Sequence, residues 1–166
     1  KPSFSFSYLG FNLKSEKFKD IKVRQALSLA INRQELVDIL FFGYAKVCNG
    51  PFMPGSFAYN DSVKETKQNL EKAKQLLKEA GYDEKNPLSF ELITNTGNDI
   101  RVNTAQILQY QLAKVGVELK IRVMEWQAFL NTVVHPRKFE TVLLGWSLAL
   151  MPDAYPLWHS SCSKLG

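Results

Sequence analysis

Hydrophobic and polar positions repeat with two distinct periods along this chain. Phe4, Phe6 and Tyr8 interleave with Ser3, Ser5 and Ser7, a period of two that predicts an aromatic-rich strand with one wet face, running on toward Leu13. After Asp20 the period lengthens, and Val23, Ala26, Leu27, Ala30 and Ile31 fall on one face of an amphipathic helix. Asn32 interrupts that helix and is placed to cap a second one, with Glu35 in the reciprocal capping-box position. The second helix is expected to bury Leu36, Ile39 and Leu40 and to stop at Gly43. Residues 49–61, rich in Pro, Gly and Asn, read as an ordered loop.

From Leu70 onward helices and strands alternate. Leu70, Ala73, Leu76, Leu77 and Ala80 mark a helix that stops at Gly81; Asn86-Pro87 is a turn, and residues 88–94 form a strand. A polar loop, Asn95-Thr96-Gly97-Asn98, leads to Asp99 as the expected N-cap of a helix burying Thr104, Ile107, Leu108, Leu112 and Val115. Val117, Leu119, Ile121 and Val123 then alternate with Glu118, Lys120, Arg122 and Met124, the clearest strand pattern in the chain. Trp126, Phe129, Leu130, Val133 and Val134 form another helical stripe, closed by His135-Pro136. The apolar run 139–145 predicts a strand buried on both faces, and the tail from Ser147 reads as irregular. Strands alternating with helices of ten or more residues argue for an α/β fold.

The length of 166 residues fits one domain with a single core. With 45% hydrophobic and 22% charged residues the composition argues against disorder. No apolar run approaches the roughly 20 residues that span a bilayer as a helix. The net charge of +5 is dispersed rather than blocked, so nothing in it requires a nucleic-acid partner. The chain opens on Lys1 with no basic-then-apolar leader, so the expectation is either a removed signal or a piece of a larger protein. Cys48 and Cys162 are the two cysteines, readable as one disulfide or as two small buried hydrophobes.

The residue inventory offers little for catalysis. His135 beside Pro136 reads as a surface residue at a helix end, and His159 lacks Asp, Glu or Cys at ligand spacing. Gly-x-Ser-x-Gly, Walker and Gly-x-Gly-x-x-Gly patterns are missing. No catalytic residue, cofactor or metal is therefore expected. Three places remain for binding. Asn95 and Thr96 follow one strand, and Gly145, Trp146 and Ser147 end another; in open α/β sheets ligands sit beyond the carboxyl ends of the strands. The third is residues 147–153, including Leu148, Ala149 and Asp153. There the polar backbone needs partners, from an extended ligand or from the rest of the protein. Trp146 is readable equally as core or as cleft wall. A small α/β hydrolase using Asp153 or His159, and a nucleic-acid module, are the readings from other classes.

Several segments together carry a family resemblance. They are Val23-Arg24-Gln25-Ala26-Leu27-Ser28-Leu29-Ala30-Ile31-Asn32-Arg33, Gly50-Pro51-Phe52-Met53-Pro54, Ala73-Lys74-Gln75-Leu76-Leu77-Lys78-Glu79-Ala80-Gly81-Tyr82, residues 105–121 with Leu112-Ala113-Lys114-Val115-Gly116-Val117 at their heart, Glu125-Trp126 and Gly145-Trp146. In order and spacing they resemble family 5 of the extracytoplasmic solute-binding proteins, which serve peptide and nickel ABC transporters. The resemblance covers nearly the whole chain. It implies an α/β lobe of the type II periplasmic binding protein kind, with a mixed β-sheet flanked by helices. Residues 1–166 would then be a single lobe, the C-terminal one of a larger two-lobed protein. The implied partners are a peptide ligand, a membrane ABC permease and the missing N-terminal lobe, with no nucleic acid; the implied location is the periplasm or, as a lipoprotein, the cell surface. The implied activity is binding by cleft closure without chemistry, of oligopeptides or dipeptides, or alternatively of a nickel chelate or other small solute.

Departures from the family pattern shape the ligand expectation. Peptide-binding relatives often carry an Asp three residues after Gly-Trp, where this chain has Ala149; Asp153 is the nearest acid. Dipeptide binders tend to carry an Arg near the Asn95 position to pair with the ligand's carboxylate, and here the residue is Asn. The resemblance therefore implies a longer peptide whose backbone pairs with residues 146–149.

Overall fold

The computed structural model describes residues 5–147, 153 and 155–164. Its centre is a four-stranded sheet of β1 (Ser5–Phe11), β2 (Ser89–Asn95), β3 (Glu118–Met124) and β4 (Thr141–Ser147), in the order β1-β4-β2-β3. β4 runs antiparallel to β1 and parallel to β2, and β2 runs parallel to β3, so the sheet is mixed. β2, β3 and β4 therefore present their carboxyl ends at one edge. Ser5 pairs with Ser147, so the chain enters β1 and leaves β4 side by side at that same edge.

The helices that the period of 3.6 marks are present. The main ones are α2 (Ile21–Ala30), α3 (Arg33–Phe41), α4 (Leu70–Glu79) and α5 (Asp99–Ala113), with α1 (Glu16–Lys19) a single turn before them. α6 (Trp126–Phe129) continues into a wider π turn, Leu130–Val134, and the short α7 (Tyr155–Trp158) precedes a 3₁₀ turn at Ser160–Lys164, where an irregular tail was expected. Side chains start them: Asp20 accepts the Lys22 amide at 2.8 Å, and Asn69 accepts the Lys72 amide at 2.9 Å.

One face of the sheet holds the larger core. Phe90, Leu92, Leu119 and Leu143 pack there against Phe18, Val23, Leu27, Ala73, Leu77, Leu108 and Leu112. The opposite face holds a smaller cluster of Ile93, Val142 and Leu144 under Phe129 and Val133. Thr141 to Leu144 are all buried, as a strand covered on both sides requires.

Several local expectations are corrected. The cap of α5 is Asn98, whose side chain accepts the Arg101 amide, and Asp99 is the first helical residue. β1 stops at Phe11, before the exposed Leu13, and α1, which places Phe18 in the core, has too short a period to read in advance. α3 buries Val37 rather than Ile39, which is exposed, because α3 meets α5 along a different stripe. On α5, Ala105, Leu108, Gln111 and Leu112 are buried, while Thr104 and Ile107 are only half-buried.

The capping box at Asn32 is also different from its prediction. Asn32 Oδ1 accepts the Glu35 amide at 3.1 Å, but the Glu35 carboxylate does not return to the Asn32 amide. Gln111 takes both: its Oε1 accepts the Asn32 N–H at 3.0 Å, and its Nε2 donates to Glu35 Oε2 at 2.7 Å. A side chain from α5 thus completes the start of α3. Cys48 and Cys162 are both free and half-buried, their thiols directed at the carbonyls of Gly50 and Tyr155.

Candidate binding site at the strand ends

The site grows from the parity of two parallel strands. Ile93 and Asn95 share a face of β2, and Val142, Leu144 and Trp146 share a face of β4. Ile93, Val142 and Leu144 meet in the smaller cluster, so Asn95 and Trp146 lie at the same edge on the same face. The spacing of two residues along each strand is what carries both beyond the core.

Trp146 is 42% exposed, so it is not a core residue. It pairs with Phe6 across the β1–β4 ladder and stacks on Tyr8, centroids 6.4 Å apart and planes 7° from parallel. Burial raises the Tyr8 hydroxyl above its ordinary range, partly offset by a hydrogen bond from Trp146 and by the charge of Arg101. Phenol and indole are thus close neighbours.

Asn95 is buried, and its amide is engaged. Nδ2 donates to the Thr96 carbonyl at 2.7 Å, and Oδ1 accepts from Arg101 Nη1 at 2.7 Å. Arg101 Nη2 in turn lies over Gly145, 3.2 Å from where a Cβ would stand. Arg101 is therefore bonded to the end of β2 and lies close over the end of β4. It is half-buried, and among the described residues no carboxylate pairs with it.

The remaining expected residues divide. Thr96 and Ser147 are exposed at the strand ends, with the Thr96 amide held by the Met124 carbonyl at 2.7 Å. Gly145 is half-buried, between the Phe6 carbonyl and Arg101. Asp153 is exposed and accepts the Tyr155 amide at 2.9 Å, a local bond that starts α7. Leu148 and Ala149 lie outside the described residues.

The residues expected at the site leave out Arg101, Tyr8 and Trp126. Trp126, the first residue of the helical stripe, is 39% exposed at the end of β3 while Phe129 beneath it is buried. Arg101 did leave a signal: a cation in the first turn of a helix opposes the macrodipole, which favours acidic residues there.

Comparison with known proteins follows from this geometry. The family described as "Bacterial extracellular solute-binding proteins, family 5 Middle" matches residues 1–165. This chain belongs to that family. Within family 5 it is 38% identical to the oligopeptide-binding protein AppA of Bacillus subtilis, an alignment covering 99% of this chain and 33% of that protein. The AppA structure, in complex with a nonapeptide, superposes with a TM-score of 0.90 over 99% of this chain and 35% of AppA. NikZ from Campylobacter jejuni, in complex with Ni(L-His), gives a TM-score of 0.85 at 32% identity, covering 96% of this chain and 34% of NikZ. The dipeptide-binding protein of Escherichia coli is 32% identical over 88% of this chain and 28% of its own length. The chain thus spans about a third of the length of the family 5 relatives it matches. No helix among the described residues is long and apolar enough to cross a membrane.

Proposed function

We propose that residues 1–166 form one lobe of a two-lobed receptor that binds peptides outside the cytoplasm and hands them to a membrane ABC permease. The observation that carries this reading is the gathering of Phe6, Tyr8, Asn95, Arg101 and Trp146 at the edge where Ser5 and Ser147 pair. Paired strands entering and leaving at the binding edge are what a hinge to a second lobe needs, because rotation there closes one surface on another. Ligand-driven closure follows from a higher affinity for the closed state. Trp146 supplies a flat apolar wall, and main-chain bonding to an extended ligand accepts varied side chains. The relatives named for oligopeptides and dipeptides support the ligand class. Periplasm, or the cell surface for a lipid-anchored form, is the proposed location.

Mass spectrometry of material co-purifying with the full-length receptor identifies the ligand; peptides are expected. Trp146→Ala in the same protein should weaken peptide binding by about 2 kcal/mol or more, as loss of a central aromatic anchor does. The same substitution should cost less than the roughly 3–5 kcal/mol of folding stability that a fully buried Trp carries. Unchanged peptide affinity in calorimetry overturns the wall assignment. A nickel chelate is the second reading, favoured by the likeness to NikZ, and a Ni–histidine titration in the same calorimeter distinguishes it.

A further inference from the structure

We propose that residues 39–63 are the seat of a second, permanent interface, on which the part of the receptor outside residues 1–166 packs. The inference rests on the two-lobed reading above and goes beyond it, because this surface is not the ligand cleft. Apolar side chains well outnumber polar ones in the segment, and its charged residues are Lys46 and Asp61. Yet no residue from Asp38 to Lys72 is buried as a whole, although side chains of these types ordinarily supply a core. Phe42, Tyr44 and Phe57 are 82%, 94% and 81% exposed, and Ile39 stands open on the last turn of α3. The Gly50-Pro51-Phe52-Met53-Pro54 motif lies in the middle of the segment and has no part in the strand-end site.

The surroundings of this segment are incomplete in two further ways. The Ser56 hydroxyl is buried and has no hydrogen-bond partner among the described residues, whereas buried hydroxyls are ordinarily satisfied. Phe42 ends α3 in the left-handed region at φ 50°, a costly conformation for a bulky residue that persists where neighbouring structure fixes it. An apolar face carrying one hydrogen-bonding group would cover the rings and satisfy Ser56 together. That occupant has to be permanent. A visiting partner such as the permease would leave the rings bare and Ser56 orphaned between visits, at a cost to the free receptor. The chain spans about a third of the length of its relatives, which puts a large permanent neighbour within the same receptor. The flanking helices α3 and α4 pack on the sheet face of the larger core, whereas Trp146 stacks on Tyr8 at the other face. The seat is thus anchored on the face opposite the Trp146 wall, and opening of the cleft does not require it to part.

Hydroxyl-radical footprinting of the full-length receptor, read by mass spectrometry, tests this without any substitution. Each rate is compared with that of the same residue in receptor unfolded in urea, and fully buried Phe18 is the native standard. Phe42, Tyr44 and Phe57 are expected to react about tenfold more slowly in the native receptor, in proportion to the area removed from water, and as slowly as Phe18. The protection should be equal with and without a synthetic Ala/Gly nonapeptide. Tyr44→Ser should lower the Tm of the full-length receptor and leave nonapeptide affinity unchanged. Reaction of the three rings at the unfolded rate overturns the proposal, and so does an unchanged Tm in Tyr44→Ser. Protection that appears only with the nonapeptide assigns the segment to the cleft, and protection only with reconstituted permease assigns it to that partner. Protection that grows with receptor concentration assigns it to a second copy. Each of these three overturns the permanent seat. Calorimetry on the same samples separates the two readings: absence of nonapeptide binding counts against the peptide reading alone, while the ligand-free footprint still decides this one.

Discussion

Gln111→Leu tests whether a buried side-chain amide, rather than apolar packing alone, fixes the helix that carries Arg101. Gln111 is fully buried and bonds the Asn32 N–H at 3.0 Å, the Asn32 carbonyl at 3.3 Å and the Glu35 carboxylate at 2.7 Å. Leucine has nearly the same volume, so the cavity contribution is small and the polar loss dominates. Two backbone groups of Asn32 lose their partner at about 1 kcal/mol each, the lower end of the range because Asn32 is half-exposed. Losing the bond to Glu35 adds about 1 kcal/mol, and the extra buried apolar surface returns about the same. The net expectation is a destabilisation of about 2 kcal/mol, or roughly 4–8 °C in Tm at this chain length. Urea unfolding of wild type, Gln111→Leu and the exposed control Gln106→Leu measures it, the control staying within about 0.5 kcal/mol. If Gln111→Leu is as mild as the control, the amide tie contributes nothing and packing alone positions α5.

Two further outcomes are expected. Gly145→Ala places a Cβ 3.0 Å from the Phe6 carbonyl oxygen and 3.2 Å from Arg101 Nη2; because the first neighbour is strand backbone, it should cost about 1–3 kcal/mol in a thermal melt, and an unchanged Tm refutes the close approach. At Glu140 burial pushes the carboxyl up, but the Lys17 hydrogen bond, the Glu91 amide and the charges of Lys17 and Lys120 outweigh it and hold it below its ordinary 4.5. A depressed carboxyl contributes stability above its unfolded pKa and loses it as pH falls through the folded one, so wild type should weaken below about pH 4.5 more steeply than Glu140→Gln. Parallel acid limbs in a series of urea midpoints would contradict this.

Much of the fold is legible in the residues because most elements here have a strong period and a proper cap. The strand through Leu119 and the helix through Ala73 and Leu77 follow directly from spacing. The errors fall where one element borrows from another. Val37 displaces Ile39 from the core, and Gln111 takes over half of a capping box, because the partner helix rather than the local pattern chooses the stripe. At the candidate site, Asn95, Gly145 and Trp146 follow strands that the pattern predicts, whereas Tyr8 meets Trp146, and Arg101 meets Gly145, only in three dimensions.

The amino-acid order by itself determined the alternation of helices and strands, since period and capping are local properties of neighbouring residues. It also determined family membership, carried by motifs spread over the whole length. Strand order was decided only by tertiary structure: β4 lies between β1 and β2, which no local pattern specifies. So was the exposure of Trp146, because the small second cluster ends at Leu144 and leaves the next residue on that face uncovered. So, finally, was the place of Arg101, since a long side chain in the first turn of a helix finds its neighbours only when two parallel strands deliver Asn95 and Gly145 to the same edge.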